Sequence, residues 1–362
     1  MKKIISLGLF FICALSLLSS CGKHERREMK SVEKFSEQIK GNTPFSAKAK
    51  KQILEHYENY LSNRESLNEY PYIPNLIAIA ASEHLEGDIV CDAVRELHHS
   101  GCNLFANNEE GWNALMYAYM GGDECTIAYL ESSGMGILSK FPLGRNALMM
   151  AAYGGHINLI QKCEAAGIDL FGTDDLGNTA LMYAAFGGQI ECIKYLQQRG
   201  LNVHQNNNFG LTSFISAAQS GNIECLRYLQ NEGSDIHARG TDGVNALMYA
   251  AWGGHVDCFQ YLCDLGLDIQ ERSHAGDTVA HHAAFGGHLS MLMFLSERGF
   301  NLEAVSKKGI SVLMVAAMVG EEDCIRFLVE KGCNTQRKDA DGHTALWYAR
   351  KHGHKKCCQL LK

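Results

Sequence analysis

The sequence predicts an all-α repeat fold, a solenoid of about nine helix-turn-helix units with hairpin turns, over residues 76–362. Three observations carry that prediction. Glycine recurs every 33 residues at Gly111, Gly144, Gly177, Gly210, Gly243, Gly276, Gly309 and Gly342. A second series follows eleven residues later, from Gly122 to Gly353, and a third runs from Gly134 to Gly332 in the same step. Between these marks, short apolar runs repeat in the same order. A fixed period in the range of 20–50 residues marks a repeat architecture. Residues 76–362 are therefore expected to form one stacked array instead of the two or three globular domains that a chain of 362 residues would suggest.

The segment before the array divides into three parts. Lys2 and Lys3 precede a mostly apolar run from Ile4 to Leu18. Fifteen residues are too few for a membrane span of roughly 20, and match the apolar region of a secretory signal. The run closes on Leu18-Ser19-Ser20-Cys21. That sequence resembles the lipobox of bacterial lipoproteins, which implies cleavage of residues 1–20 and lipidation of Cys21. Two acyl signals hold stably where one holds marginally, so the resemblance implies a membrane anchor at the bacterial cell envelope. Residues 21–43 then form a basic tether. Gly22 to Lys51 carries a charge of about +5, whereas Gln52 onward carries about −14. A basic stretch is favoured beside anionic head groups and an acidic body is not. Residues 44–75 read as a capping helix and linker. Thr43-Pro44 suits a helix start, and Ile53, Leu54, Tyr57, Tyr60 and Leu61 share one helical face. Pro71 and Pro74 interrupt the chain before the array begins.

One period shows how each unit is built. Asn245 to Trp252 reads as a short helix ending at Gly253-Gly254, and His255 to Leu262 as a second ending before Gly266. Leu267 to Ala275 then forms an extended turn leading to Gly276. The glycines serve the positive-φ positions that end helices. This pattern resembles the ankyrin repeat, a turn plus two antiparallel helices in 33 residues. The family's Thr-Pro-Leu-His block falls on Asn113-Ala-Leu-Met116, Thr179-Ala-Leu-Met182 and Thr278-Val-Ala-His281. Its Gly-His pair falls on Gly155-His156, Gly254-His255, Gly287-His288 and Gly353-His354. Alanine replaces the block's proline in most copies, and the turn aspartate stands only at Asp174 and Asp339. Leu76 to Glu110 is a degenerate ninth copy.

Fourteen cysteines invite a disulfide, redox or metal reading. The pattern argues otherwise. Fifteen residues after each register glycine stand Thr126, Leu159, Cys192, Cys225, Cys258, Met291, Cys324 and Cys357. Leucine and methionine share that slot, so cysteine serves there as a small hydrophobe. Packed helices about 8–10 Å apart argue against bridges between successive slots. No C-x-x-C occurs, and no cysteine pair with a downstream histidine pair has zinc-finger spacing. His255, His281, His282 and His288 resemble a metal cluster on paper, but the resemblance assigns His281 to a structural slot of its block and His255 and His288 to its Gly-His pair. No metal and no cofactor is expected, and no phosphate-binding or nucleophile-elbow motif points to an enzyme. A net charge of −7 argues against a nucleic-acid partner.

Function is then expected where the repeats vary. Two positions three apart on each first helix share a face, which the resemblance identifies with the partner-contacting groove. They read Tyr117/Met120, Met150/Tyr153, Tyr183/Phe186, Ser216/Gln219, Tyr249/Trp252, His282/Phe285, Val315/Met318 and Tyr348/Lys351. Ten of these are candidates for binding a protein or peptide: Tyr117, Met120, Met150, Tyr153, Tyr183, Phe186, Tyr249, Trp252, His282 and Phe285. The turn tips at Asn206 to Asn208, Lys307-Lys308 and Arg337-Lys338 offer polar contacts beside them. The expected function is a non-catalytic, lipid-anchored interaction scaffold. A Cys/His-dependent redox or metal-linked regulator, and a secreted effector acting on host proteins, are the alternative readings.

Overall fold

The computed structural model describes residues 87–99, 103–107, 112–139 and 141–362. The signal sequence, the lipidation site, the tether and the helix expected over 45–61 lie outside the described residues. Seventeen α-helices and no strand are found among those described. The chain divides into two compact units, one ending at Pro142 and one beginning at Leu143.

In the first unit, α1 (Gly87–His99) packs against α3 (Glu124–Ser132), with α2 (Ala114–Gly121) also against α3. Asn113 caps α2 by accepting from the Met116 amide at 3.0 Å, and Asp123 caps α3 by accepting from Thr126 at 3.0 Å. Such caps satisfy amides that a helix start leaves open. Ala114 to Tyr119 are all buried, so α2 hides every side of itself.

The second unit repeats one hairpin of helices seven times. In order these are α4 (Ala147–Gly154) with α5 (Ile157–Ala165), and α6 (Ala180–Phe186) with α7 (Ile190–Gln198). Next come α8 (Ser213–Ser220) with α9 (Ile223–Asn231), and α10 (Ala246–Gly253) with α11 (Val256–Asp264). The last three pairs are α12 (Val279–Phe285) with α13 (Leu289–Glu297), α14 (Val312–Val319) with α15 (Glu322–Glu330), and α16 (Ala345–Lys351) with α17 (Lys355–Leu360). From α4 to α16 each successive pair of even-numbered, inner helices packs together. Helices of seven or eight residues are unstable alone. Most of them, such as α4, α6, α10 and α14, are apolar all round and enclosed by their neighbours, which is where such helices belong. The outer helices instead bury one stripe, for example Cys225, Leu226 and Leu229 on α9, or Cys258, Phe259 and Leu262 on α11.

The glycine ruler has a conformational cause. Every described member of the three series has a positive φ, and no other described glycine does. Space is the second constraint. A Cβ on Gly254, whose φ is +73°, would lie 2.4 Å from the ring of His288 in the next repeat. The extra glycine before this position answers to backbone: a Cβ on Gly187 would stand 1.9 Å from the Tyr153 carbonyl oxygen. At such positions a repeat is stacked onto atoms that only glycine leaves room for.

The turn tips are joined by a ladder of backbone hydrogen bonds. Each tip amide donates to a carbonyl 32 residues earlier: Asp175 to Leu143 (2.8 Å), Asn208 to Leu176 (3.0 Å), Thr241 to Phe209 (2.7 Å) and His274 to Asp242 (2.7 Å). Lys307 to Ala275 (2.8 Å) and Ala340 to Lys308 (2.9 Å) continue it. A further series, absent from the sequence reading, closes the loop after each outer helix. Asp169, Asn202, Asp235, Asp268, Asn301 and Asn334 each accept from the amide two residues on. These are Asx turns, which need only a short carbonyl-bearing side chain at that place.

The cysteine slot is a packing slot. Thr126, Leu159, Cys192, Cys225, Cys258, Met291, Cys324 and Cys357 are all buried. The Cys225 and Cys258 thiols point inward and donate to the carbonyls of Ala185 and Ala218, each at 3.7 Å. They face the preceding inner helix, not one another. Burial pushes the thiols of Cys192, Cys225, Cys258 and Cys324 up to about 12, which holds them protonated and unreactive. All eleven cysteines of the described residues are thiols.

Candidate protein-binding face

The inner helices bring the expected positions into one row within each unit, but the row is far less open than its composition suggests. In the second unit Met150 is fully buried, and Tyr183 and Tyr249 are buried. Phe186 and Trp252, expected to stand clear, are only 3% and 8% exposed. Tyr117, in the first unit, is buried against Trp112 at a ring distance of 5.2 Å. The reason is ring-on-ring cover. Tyr153 meets Phe186 at 5.7 Å between centroids, and Trp252 meets Tyr249 and Phe285 at 5.6 Å each. These separations are those of favourable aromatic pairs. A ring in one repeat is therefore shielded by the ring 33 residues later. Met120 in the first unit, and Tyr153, His282 and Phe285 in the second, remain half-buried.

The first-position tyrosines have a structural task that the sequence did not disclose. Tyr183 donates its hydroxyl to Asp174 at 2.8 Å, and Tyr348 donates to Asp339. Burial, and then the charge of Asp174, raise the Tyr183 hydroxyl well above its ordinary range. Asp174 also accepts from the Leu176 and Asn178 amides and from the Asn178 side chain. The Asn178 side chain in turn accepts from Asn207 at 2.8 Å. The two remaining turn aspartates thus clamp tip to inner helix. Asn207, expected as a surface contact, is buried inside this network, while Asn206, Asn208, Lys307, Lys308 and Lys338 are exposed. Arg337 is half-buried and paired with Glu303 at 2.8 Å.

The histidines also have structural places. His281 accepts from the Thr278 amide through Nδ1 at 3.2 Å, and its Nε2 lies 3.0 Å from the Ile310 carbonyl, to which it donates. Both nitrogens are engaged, so the ring joins two repeats. Burial pushes the His282 imidazole down to about 4. Asp339, Asp341 and His343 hold ligand atoms within 4.8 Å of one another. The carboxylate of Asp339 is already committed to the turn, accepting from the Asp341 and His343 amides and from Tyr348. Near this turn lies a patch the sequence reading missed. Trp347 occupies a slot held by buried methionine in other repeats, yet is half-exposed, stacked on His343 at 3.5 Å and under Lys351 at 4.6 Å.

Turn, inner helix, left-handed glycine and outer helix recur in this order through the second unit. A family model described as ankyrin repeats (three copies) matches in overlapping stretches from residues 77–169 through to 280–362. The chain belongs to the ankyrin-repeat family. No curated protein matches it. The first of the matched stretches begins at residue 77. Ankyrin repeats mediate protein–protein interactions, and membership points to a scaffold of that kind. Within this ankyrin array the inner-helix row and the exposed tips are the surfaces that vary while the frame is kept.

Proposed function

We propose that this ankyrin-repeat protein is a non-catalytic scaffold, lipid-anchored at the bacterial envelope through Cys21, that captures a protein or peptide partner on its inner-helix row and turn tips. The observation that carries the binding face is the half-buried set Tyr153, His282 and Phe285. Aromatic groups partly covered by rings of their own fold present rigid apolar area at little entropic cost, which is what interface anchors need. Buried Phe186 and Trp252 act as their backing. The tips add the exposed lysines Lys307, Lys308 and Lys338 at the rim. The anchor is supported by the lipobox-like Leu18 to Cys21 and the basic tether beyond it.

Replacing Tyr153 and Phe285 together by alanine tests the face. We expect partner capture in cells, read by crosslinking from a photoreactive residue at position 282, to be lost while helical content stays unchanged. Undiminished capture overturns the inner-row reading and shifts the site to the tips. Cys21→Ala tests the anchor separately, by loss of acyl labelling and of membrane fractionation. Retained labelling overturns it.

A further inference from the structure

The inner row changes chemistry along the second unit. His282 and Phe285 on α12 are half-buried, with Trp252 edge-on to Phe285 at 5.6 Å. One repeat on, Val315 is buried and Met318 half-buried. Two repeats on, the same two positions hold half-buried Tyr348 and exposed Lys351. Lys351 is a placed cation. Its Nζ lies 4.6 Å from the centre of the Trp347 ring, which stacks on His343 at 3.5 Å. The tips beside this stretch are basic as well, with Lys307 and Lys308 exposed on one and Lys338 on the next. The backbone ladder joins these two tips, the Ala340 amide donating to the Lys308 carbonyl at 2.9 Å. Between Lys331 and Lys362 the sequence holds eight Lys/Arg and two Asp/Glu, in a chain whose net charge is −7.

Several other cations of the second unit are matched by carboxylates of the fold. Arg199 pairs with Glu164, Lys194 with Glu191, Arg337 with Glu303 and Lys356 with Glu322. Among the described residues, no carboxylate stands within ion-pairing distance of Lys307, Lys308, Lys338 or Lys351. Asp339 is buried in its bond with Tyr348, and Asp341 is the exposed carboxylate of that tip. Four unmatched cations beside one stretch of an apolar row concentrate positive potential where a partner would lie.

We infer that the segment captured on the inner row, which rests on the binding face proposed above, is an acidic peptide with an apolar anchor. Its apolar side chains meet His282 and Phe285, and a run of Asp or Glu meets Lys307, Lys308 and Lys351. The spacing follows from the stack. Packed helices are about 8–10 Å apart, so two steps put Lys351 on α16 about 16–20 Å from Phe285 on α12. An extended chain advances about 3.3 Å per residue. The carboxylates therefore fall about five or six residues from the anchor, with the tip lysines beside the path between them. Buried apolar contact supplies the affinity, while the charges set register and exclude basic segments of equal apolar content.

The full chain, immobilised, selects from a random peptide library displayed on phage, and the enriched peptides are synthesised and titrated by fluorescence anisotropy. We expect them to carry an apolar pair and, about five or six residues away, a cluster of Asp or Glu. Reversing three charges together (K307E, K308E and K351E) is expected to weaken binding about tenfold at an unchanged thermal midpoint. Exchanging the peptide's carboxylates for lysine should then restore binding to that variant. Affinity for the unaltered chain should fall as salt is raised, which decides the point even where the variant fails to fold. Peptides that need Tyr153 and Phe285 but ignore both the charge reversal and salt overturn this inference and leave the inner-row reading standing. Peptides that ignore Tyr153→Ala with Phe285→Ala overturn that reading and this inference with it. Enrichment of no acidic peptide overturns the inference, as does lysine-dependent binding to phosphatidylglycerol vesicles in place of peptide.

Discussion

Inner and outer helices of the second unit have nearly the same length and different means of stability. An outer helix such as α9 buries a stripe of Cys225, Leu226 and Leu229 and turns polar residues outward. An inner helix such as α10 buries Ala246 through Trp252 without a break. The outer helix is held by its own pattern against one neighbouring layer. The inner helix is held by being enclosed between neighbours on both sides. An enclosed helix has no pattern by which to tell its covered side from its open one.

Loss of an inner contact should therefore be the more damaging. Leu247→Ala, at a fully buried position of α10, is expected to cost about 2–5 kcal/mol in urea unfolding, by lost burial plus the cavity left behind. A cost below that of an outer-stripe change such as Leu229→Ala would break the comparison.

Acid should act on the same region. His255, His281, His282 and His288 all have imidazoles lowered by burial, His282 to about 4. A histidine held below its unfolded value near 6.5 contributes stability fully above that value. The contribution is lost as pH falls from 6.5 towards 4, because the unfolded chain takes up the proton first. The urea midpoint should drop across that window, and His282→Asn should flatten the drop. A midpoint independent of pH there would show that these rings are not enclosed in solution.

Smaller effects sharpen the distinction. Gly254→Ala places a Cβ at positive φ, worth about 1–2 kcal/mol of local strain, in addition to the contact with the His288 ring. A loss confined to strain would mean that the histidine swings aside. Lys194→Ala, which removes an exposed ion pair with Glu191 on α7 at 2.7 Å, should leave the thermal midpoint unchanged, since such pairs contribute little.

The same contrast explains what could be read in advance. The period, the helix starts at Asn113 and Asn245, the glycine helix ends and the cysteine slot were legible because each is a local demand repeated at a fixed interval. Trp252 and Phe186 were misplaced because their exposure depends on a ring in the adjacent repeat. The tyrosine–aspartate clamps at Tyr183 and Tyr348 were hidden for a related reason. Both are contacts between a turn and a helix nine residues on, and they occur only where the aspartate survives. Trp347 escaped notice because its slot is buried in every other repeat and holds methionine in most of them. The Asx series at Asp169 to Asn334 was available as a pattern, but mixes two residue types and so blurs its own period.

The tip ladder has a consequence for how such a chain can change over time. Its rungs run from amide to carbonyl and ask nothing of any side chain. Tip residues can therefore be exchanged without disturbing the joint beneath them, with Asn207, drawn into the buried network, as an exception. Length has no such latitude. A deletion or duplication of 33 residues brings the next amide to the next carbonyl, whereas any other number leaves both without their counterpart. The array can be recoded freely at its rim, but it can grow or shrink only in whole repeats.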